Sequence, residues 1–229
     1  MSPLVPALAA MCRGCNQLND GPIMADGPKT DFATGRFGYR AARFGQSEPL
    51  LRAVGSSKSR PLRIVDATGG LGHDGFLLAA SGAQVTLIER SPVMFAELAR
   101  ALADARQNDE LAQIAARMTV LHGDSRSLLR DIKADVFYID PMHPERKKSA
   151  LVKEPMRLLR QVVGDDPDSA ELFQIALQHS PGRVVVKWPT KAALPDGIPH
   201  PSFELSSRTT RYCVFVAAPA TSKIDSETL

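Results

Sequence analysis

Cysteine is scarce in this chain, with three in 229 residues. An odd number, with no secretion signal ahead of it, argues against a disulfide-stapled scaffold. Cys12 and Cys15 form a CxxC, half of a zinc or redox motif. No second CxxC or HxxxH follows nearby to complete four ligands, so no metal is expected. Cys213 lies in an apolar run and reads as a core residue. Long apolar stretches are also missing, which excludes a membrane-spanning helix. The opening MSPLVPALAAMCRGC is broken by two prolines, and no basic residue precedes its apolar part. It makes a poor signal peptide, and a cytoplasmic protein with no membrane partner is expected. There is no internal repeat and no long low-complexity tract.

Neither sign of charge dominates: net charge is +3 and the pI about 8.8. That permits a nucleic-acid partner without requiring one. The distribution is more informative. From Arg36 to Arg60 there are six basic residues, including Arg40 and Arg43, and one acidic residue. From Glu145 to Arg160 there are six basic residues, including Lys147, Lys148, Lys153 and Arg157, and two acidic ones. A single such run is commonly a solvated face. Two of them flanking a catalytic core suit phosphate contacts.

The pattern divides the chain into a partly irregular, basic N-terminal segment (1–60), an α/β domain (61–218) and a C-terminal tail (219–229). Residues 1 to about 35 read as loosely ordered or peripheral, and a short helix is expected near Glu48–Val54. Strands are expected at Leu62–Val65, Gln84–Ile88, Met118–Leu121, Val136–Ile139, Arg183–Lys187, Phe203–Ser206 and Tyr212–Val216. Helical patterns lie between them: up to Ser81, from Ser91-Pro92 to about Arg106, and at 154–163 and 168–179. Ser91 reads as an N-cap with Pro92 at the first helical position. Strands alternating with helices imply a Rossmann-like, mostly parallel seven-stranded sheet covered on both faces. Ligands of such sheets bind beyond the carboxyl ends of the strands. Asp66, Glu89 and Asp140 end early strands and Asp124 follows another, so these acids should gather on one rim.

The first turn reads Asp66-Ala67-Thr68-Gly69-Gly70-Leu71-Gly72-His73-Asp74-Gly75. Gly70, Gly72 and Gly75 satisfy GxGxxG, and Glu89 follows Gly70 by nineteen residues. That is the dinucleotide fingerprint, so a nicotinamide dehydrogenase is one reading. Asp66 immediately before the glycines counts against it, because a carboxylate there would repel a pyrophosphate. The same charge suits the amino and sulfonium cations of S-adenosylmethionine. Glu89 can accept both ribose hydroxyls, and Asp124, with Ser125 beside it, can accept from the adenine amine.

Asp140-Pro141-Met142-His143-Pro144 follows the apolar run VFYI. It resembles the [Asp/Asn]-Pro-Pro-aromatic loop of methyltransferases acting on exocyclic base amines. Such an amine is a poor nucleophile, because its lone pair is delocalised into the ring. A carboxylate and a backbone carbonyl that accept its N–H bonds can pull the nitrogen toward tetrahedral geometry. Pro141 stiffens the loop, and the flat ring of His143 can stack on a base. Lys147, Lys148, Lys153 and Arg157 follow closely enough to hold phosphates near an extruded base.

DATGGLGHDGFLLAASGAQVTLIERSP, YIDPMHP, KKSALVKEPMRLLRQVVG and RVVVKWP together resemble the RsmJ-type 16S ribosomal RNA guanine-N2 methyltransferases, over roughly residues 30 to 218. The resemblance implies the class I methyltransferase fold, S-adenosylmethionine as cofactor, and a guanine of 16S rRNA or the small ribosomal subunit as substrate. It also implies cofactor contacts at His73, Asp74, Glu89, Arg90, Asp124, Ser125 and Asp140. The family usually has Phe where this chain has His143, and Arg where it has His73. Its amino-terminal segment is longer, and Tyr39-Arg40-Ala41-Ala42-Arg43 matches it only loosely. Transfer to adenine N6 and a non-catalytic RNA-binding module stand as alternatives.

Overall fold

The computed structural model describes residues 29–33, 48–57, 59–141, 168–180, 182–207 and 209–217. Seven strands form one sheet: β1 (Arg63–Asp66), β2 (Gln84–Glu89), β3 (Met118–His122), β4 (Val136–Ile139), β5 (Arg183–Pro189), β6 (Phe203–Ser206) and β7 (Thr210–Val216). Their order is β3-β2-β1-β4-β5-β7-β6. β1 pairs in parallel with β2 and β4, β2 with β3, and β4 with β5. β7 runs antiparallel to both β5 and β6. The chain therefore builds outward from β1 to β3, then returns to β1's other side with β4. The crevice between the β1 and β4 ends is the topological switch point, where open α/β sheets bind ligands.

Strand alternation sends side chains to two cores. In β4, Val136 and Tyr138 face the first core, which holds Ile64, Leu87, Phe76 and Leu98. Phe137 and Ile139 face the second, with Val65, Ile88, Phe173 and Trp188. Both sets are fully buried, as an apolar run without polar alternation requires. Cys213 belongs to the second core, and its burial holds the thiol up at about 12.

The helices follow local signals. α1 (Pro49–Val54) starts on a proline and stops at Gly55 in the left-handed region, whose N–H bonds back to Arg52 and Leu51. Leu50, Leu51, Ala53 and Val54 are buried, so α1 belongs to the first core. α2 (His73–Ala80) begins directly after the glycine turn. α3 (Pro92–Gln107) is capped by Ser91 Oγ, which accepts from Met94 N at 3.4 Å. It buries Met94, Leu98, Ala101, Leu102 and Ala105, one stripe at helical spacing. α4 (Ala112–Ala115) and α5 (Ser125–Leu128) are single turns. α6 (Ser169–Gln178) covers the second face with Leu172, Phe173 and Ala176. The expected helix at 154–163 lies outside the described residues.

One expectation is corrected. Residues 29–33 are not all peripheral: Thr30 is 1% and Phe32 2% exposed. Phe32 stacks on Phe76, with ring centroids 4.5 Å apart. Thr30 N donates to Glu97 Oε1 at 2.7 Å, and Thr30 Oγ1 donates to Leu71 O at 3.2 Å. Composition alone read this stretch as loose, because these few anchoring residues follow no period.

Candidate active site

The glycine turn, α2 and the loops after β2, β3 and β4 meet at the carboxyl rim of the sheet. Backbone bonds tie them together. Ala67 N donates to Tyr138 O (2.9 Å), Gly69 N to Ile88 O (2.9 Å) and Gly123 N to Glu89 O (3.0 Å). Ser125 Oγ donates to Ala67 O at 2.6 Å, pulling the loop after β3 toward β1. Asp66, Glu89, Asp124 and Asp140 thus share one edge.

The glycines differ in what they face. A side chain at Gly72 (φ +72°) would lie 2.5 Å from Leu98 Cδ1. One at Gly69 would lie 3.1 Å from Ile88 O. Both approach the protein's own interior closely. At Gly70 (φ +50°) the nearest atom to an added Cβ is Thr68 O, at 3.7 Å. Gly70 is where the turn opens onto free space, and a ligand can approach its backbone there.

Four charged groups cluster at the same rim. Asp66 is 3% exposed. Its Oδ1 accepts from Thr68 N (3.1 Å) and Thr68 Oγ1 (3.3 Å). Burial is the main reason its carboxyl is pushed up to about 7, and nearby Asp74 and Asp140 add to this. Asp140 N donates to Thr68 Oγ1 at 2.7 Å, so Thr68 links the two loops. The half-buried Asp140 carboxyl is raised to about 6 by loss of water, against the pull of Lys187. Lys187 Nζ donates to Asp140 Oδ2 (2.7 Å) and Asp74 Oδ2 (2.8 Å). Tyr138 OH also donates to Asp74 Oδ2, at 2.5 Å. Burial opposes ionisation of Asp74, but Lys187 and Tyr138 bring it below the usual carboxylate range. Lys187 loses water too, yet its two carboxylates hold it charged to far above its ordinary range. Pro141 is buried beside this group.

The β2–β3 side is arranged differently. Glu89 Oε2 accepts from Gly70 N (2.8 Å) and Oε1 from Ser91 N (2.7 Å). Each oxygen keeps a second lone pair. Asp124 caps α5 by accepting from Arg126 N, and the Arg126 guanidinium grips both its oxygens at 2.6–3.1 Å. That grip holds the Asp124 carboxyl below its ordinary range. Arg90 NH1 pairs with Asp168 at 2.8 Å and extends over the rim toward α6. His122 lies beside Phe95, with ring centroids 5.1 Å apart, and its Nε2 is 3.3 Å from Arg90 O. Burial of His73, at the start of α2, lowers its pKa and favours the neutral ring.

His143, Arg40, Arg43, Lys147, Lys148, Lys153 and Arg157 lie outside the described residues, as do Cys12 and Cys15. Among the described residues no group of acids, histidines and cysteines could hold a metal, and no helix is long and apolar enough to cross a membrane. Sequence reading missed Lys187, Tyr138 and Thr68. For Lys187 there was a signal: a lone cation in the apolar strand RVVVKWP.

This sheet order and its acidic rim define a Rossmann-like class I methyltransferase fold. A family model described as "Putative SAM-dependent methyltransferase" matches residues 17–217. A solved SAM-dependent methyltransferase from Neisseria gonorrhoeae superposes with a TM-score of 0.61 at 28% identity, covering 82% of this chain and 74% of that one. "Ribosomal RNA small subunit methyltransferase J" of Rhodopseudomonas palustris strain BisB5 is 54% identical over 194 residues, 83% of this chain and 88% of that protein. The protein of the same name from Agrobacterium fabrum is 50% identical over 188 residues, 81% of this chain and 90% of that protein. The chain belongs to the ribosomal RNA small subunit methyltransferase J family, and its cofactor is S-adenosylmethionine.

Proposed function

We propose that this protein transfers a methyl group from S-adenosylmethionine to the exocyclic N2 amine of a guanine in 16S ribosomal RNA of the small subunit. The names of relatives about half identical to it support the RNA substrate. The choice of amine rests on the Asp140-Pro141 loop and on the resemblance already drawn. The observation that carries the chemistry is Asp140, fixed by Thr68 and Lys187 at the switch point beside Asp66.

The site fits the donor on several counts. Asp66 is a buried carboxylate, and among the described residues no hydrogen bond reaches its Oδ2. It suits the donor's cationic end. Glu89 has spare lone pairs for ribose hydroxyls beside the open backbone of Gly70. Asp124, Ser125 and Arg90, with His122 and Phe95, line the side assigned to adenine. Gly69 and Gly72 let the turn close, and His73 and Asp74 start the helix beneath it. Bound there, the donor supplies an electrophilic methyl group.

Asp140 then acts on the nucleophile. Its Oδ2 is held by Lys187, while among the described residues Oδ1 carries no bond. Oδ1 accepts one N–H of the target amine and aims the nitrogen's lone pair at the methyl carbon. Alkylation makes the remaining N–H acidic, and a carboxyl raised to about 6 takes that proton better than an ordinary aspartate does. Arg40, Arg43, Lys147, Lys148, Lys153 and Arg157 are assigned to RNA phosphates, and His143 to stacking on the base. Incubating the protein and donor with undermethylated small subunits, then mapping modified nucleotides by mass spectrometry, tests this. One new N2-methylguanine in 16S rRNA is expected. An N6-methyladenine instead favours the adenine reading, and no modification overturns the proposal.

A further inference from the structure

Lys187 sits near the end of β5, between Val186 and Trp188, both buried. Its own side chain is 26% exposed. A cation placed there loses much of its water, a cost that only close counter-charges offset. Two elements bring carboxylates to it. Asp74 comes from α2, Asp140 from the end of β4, and both direct Oδ2 at its Nζ. Tyr138, fully buried in β4, donates to the same oxygen of Asp74. Among the described residues, Asp66 on β1, Tyr212 on β7 and His73 beside Asp74 are the other titratable groups coupled to this cluster. Asp74 directs one oxygen, Oδ2, at both the lysine and the phenol.

We infer that Lys187 is a positioning residue for methyl transfer: it pins one oxygen of Asp140 so that the other points at the attacking amine, and Asp74 and Tyr138 hold it in place. This rests on the reading of Asp140 as the amine's acceptor. The arrangement also sets the local charge. Three carboxylates against one ammonium leave the rim negative, which favours a cationic donor. Removing the lysine takes away a cation that repels the donor, and the carboxyls it held down take up protons more readily in return. Loss of Lys187 should therefore slow transfer without weakening donor binding, the reverse of what general damage to the fold would do.

Lys187→Met and Lys187→Arg in the full chain test this with two readouts. The first is the titration of the Asp140 carboxyl, followed by 13C NMR and assigned with Asp140→Asn. The second is kcat against pH at saturating donor, with donor Kd measured alongside. For Lys187→Met, the Asp140 midpoint and the acid limb of kcat should both move up by at least half a pH unit. At neutral pH kcat should fall at least thirtyfold, with donor Kd within threefold of wild type or tighter. Lys187→Arg should restore the acid limb and only part of kcat. An unmoved Asp140 midpoint, an even loss of rate at all pH values, or donor binding lost in proportion to rate would overturn the inference. Should the Met variant not fold, the Arg variant decides: kcat reduced at least fivefold with donor binding kept supports the role, and an unchanged kcat sinks it. Wild-type protein that methylates no guanine would defeat the functional reading instead, and the carboxyl titration would still decide whether Lys187 holds Asp140.

Discussion

On the β2–β3 side of the rim, Glu89 and Asp124 accept hydrogen bonds from backbone amides, and Asp124 is clasped by an arginine. On the β1–β4–β5 side, Asp66 and Asp140 have raised carboxyl pKa values, and one lysine serves both Asp74 and Asp140. The residue type and the position, an acid at the end of a parallel strand, are the same. Burial and the available donors separate the two. Asp124, gripped by the Arg126 guanidinium, is held below the ordinary carboxylate range, and Glu89 keeps spare lone pairs for a ligand. Asp66 and Asp140, taken out of water by burial, have carboxyls raised toward neutrality and can exchange a proton there. The β2–β3 side is thus suited to gripping a neutral sugar and base, and the other side to handling charge and protons.

The strongest attempt to break this contrast is Asp140→Ala. It removes the carboxylate proposed to accept from the amine, and transfer at saturating donor should fall on the order of 10²–10³-fold. Donor Kd, measured by calorimetry, should stay within about threefold of wild type. Equal losses in rate and donor affinity would mean that Asp140 belongs to the gripping side.

Glu89→Gln attacks the other half. The amide keeps one acceptor, and its NH2 group faces an N–H that the carboxylate had satisfied. With Glu89 only 6% exposed, loss of a charge-assisted bond there should cost about 1.5–3 kcal/mol of stability. Donor Kd should rise on the order of tenfold, the equivalent of about 1.4 kcal/mol. The rate at saturating donor should change much less. Thermal melts with and without donor, beside single-turnover rates, separate these outcomes.

The pH dependence sharpens the contrast with a smaller effect. Asp66 has its folded carboxyl at about 7 against an ordinary 3.8. The folded state therefore holds that proton more tightly than the unfolded chain. Asp66's contribution to the donor-free protein's stability is fully present below about pH 4 and is lost as pH rises through about 7. A cationic donor reverses the preference, because it binds the ionised form. Donor affinity should thus rise up to about tenfold between pH 6 and 8. In Asp66→Asn that slope should disappear. If Glu89→Gln flattens it instead, the titrating group lies on the wrong side of the rim.

Much of this architecture could be read from the chain. Val136–Ile139 and Phe203–Ser206 are strands with the bounds expected, because each is a short stretch between strong breakers. β5 and β7 run past their expected ends to Pro189 and Thr210. Pairing with each other extends them, and pairing is tertiary information. α4 and α5 are single turns, too short to show a period. The rim acids were legible by position, but their partners were not. Asp124 read as an adenine acceptor, yet which of its oxygens Arg126 would grip depends on the turn of α5. Lys187 was passed over inside an apolar strand, since its counter-charges lie 47 and 113 residues away. Phe32 and Thr30 were hidden for the same reason. Their partners Phe76, Leu71 and Glu97 are distant in sequence.

The smallest effect should come from the outermost charge on the gripping side. Glu171 Oε2 lies 2.6 Å from Arg126 NH1, but its side chain is 58% exposed. Arg126 also pairs with Asp124 and Asp168, so Glu171 adds a third partner to an arginine already held. Exposed ion pairs of this kind contribute little, and salt screens them. Glu171→Gln should therefore move Tm by less than about 2 °C. Any loss in donor affinity should stay below about twofold and vanish at high ionic strength. A larger effect that persists in salt would show that the arginine network over α6 controls the placement of Asp124. The gripping side would then owe its shape to long-range charge as well as to backbone amides, and the difference between the two halves of the rim would be one of degree.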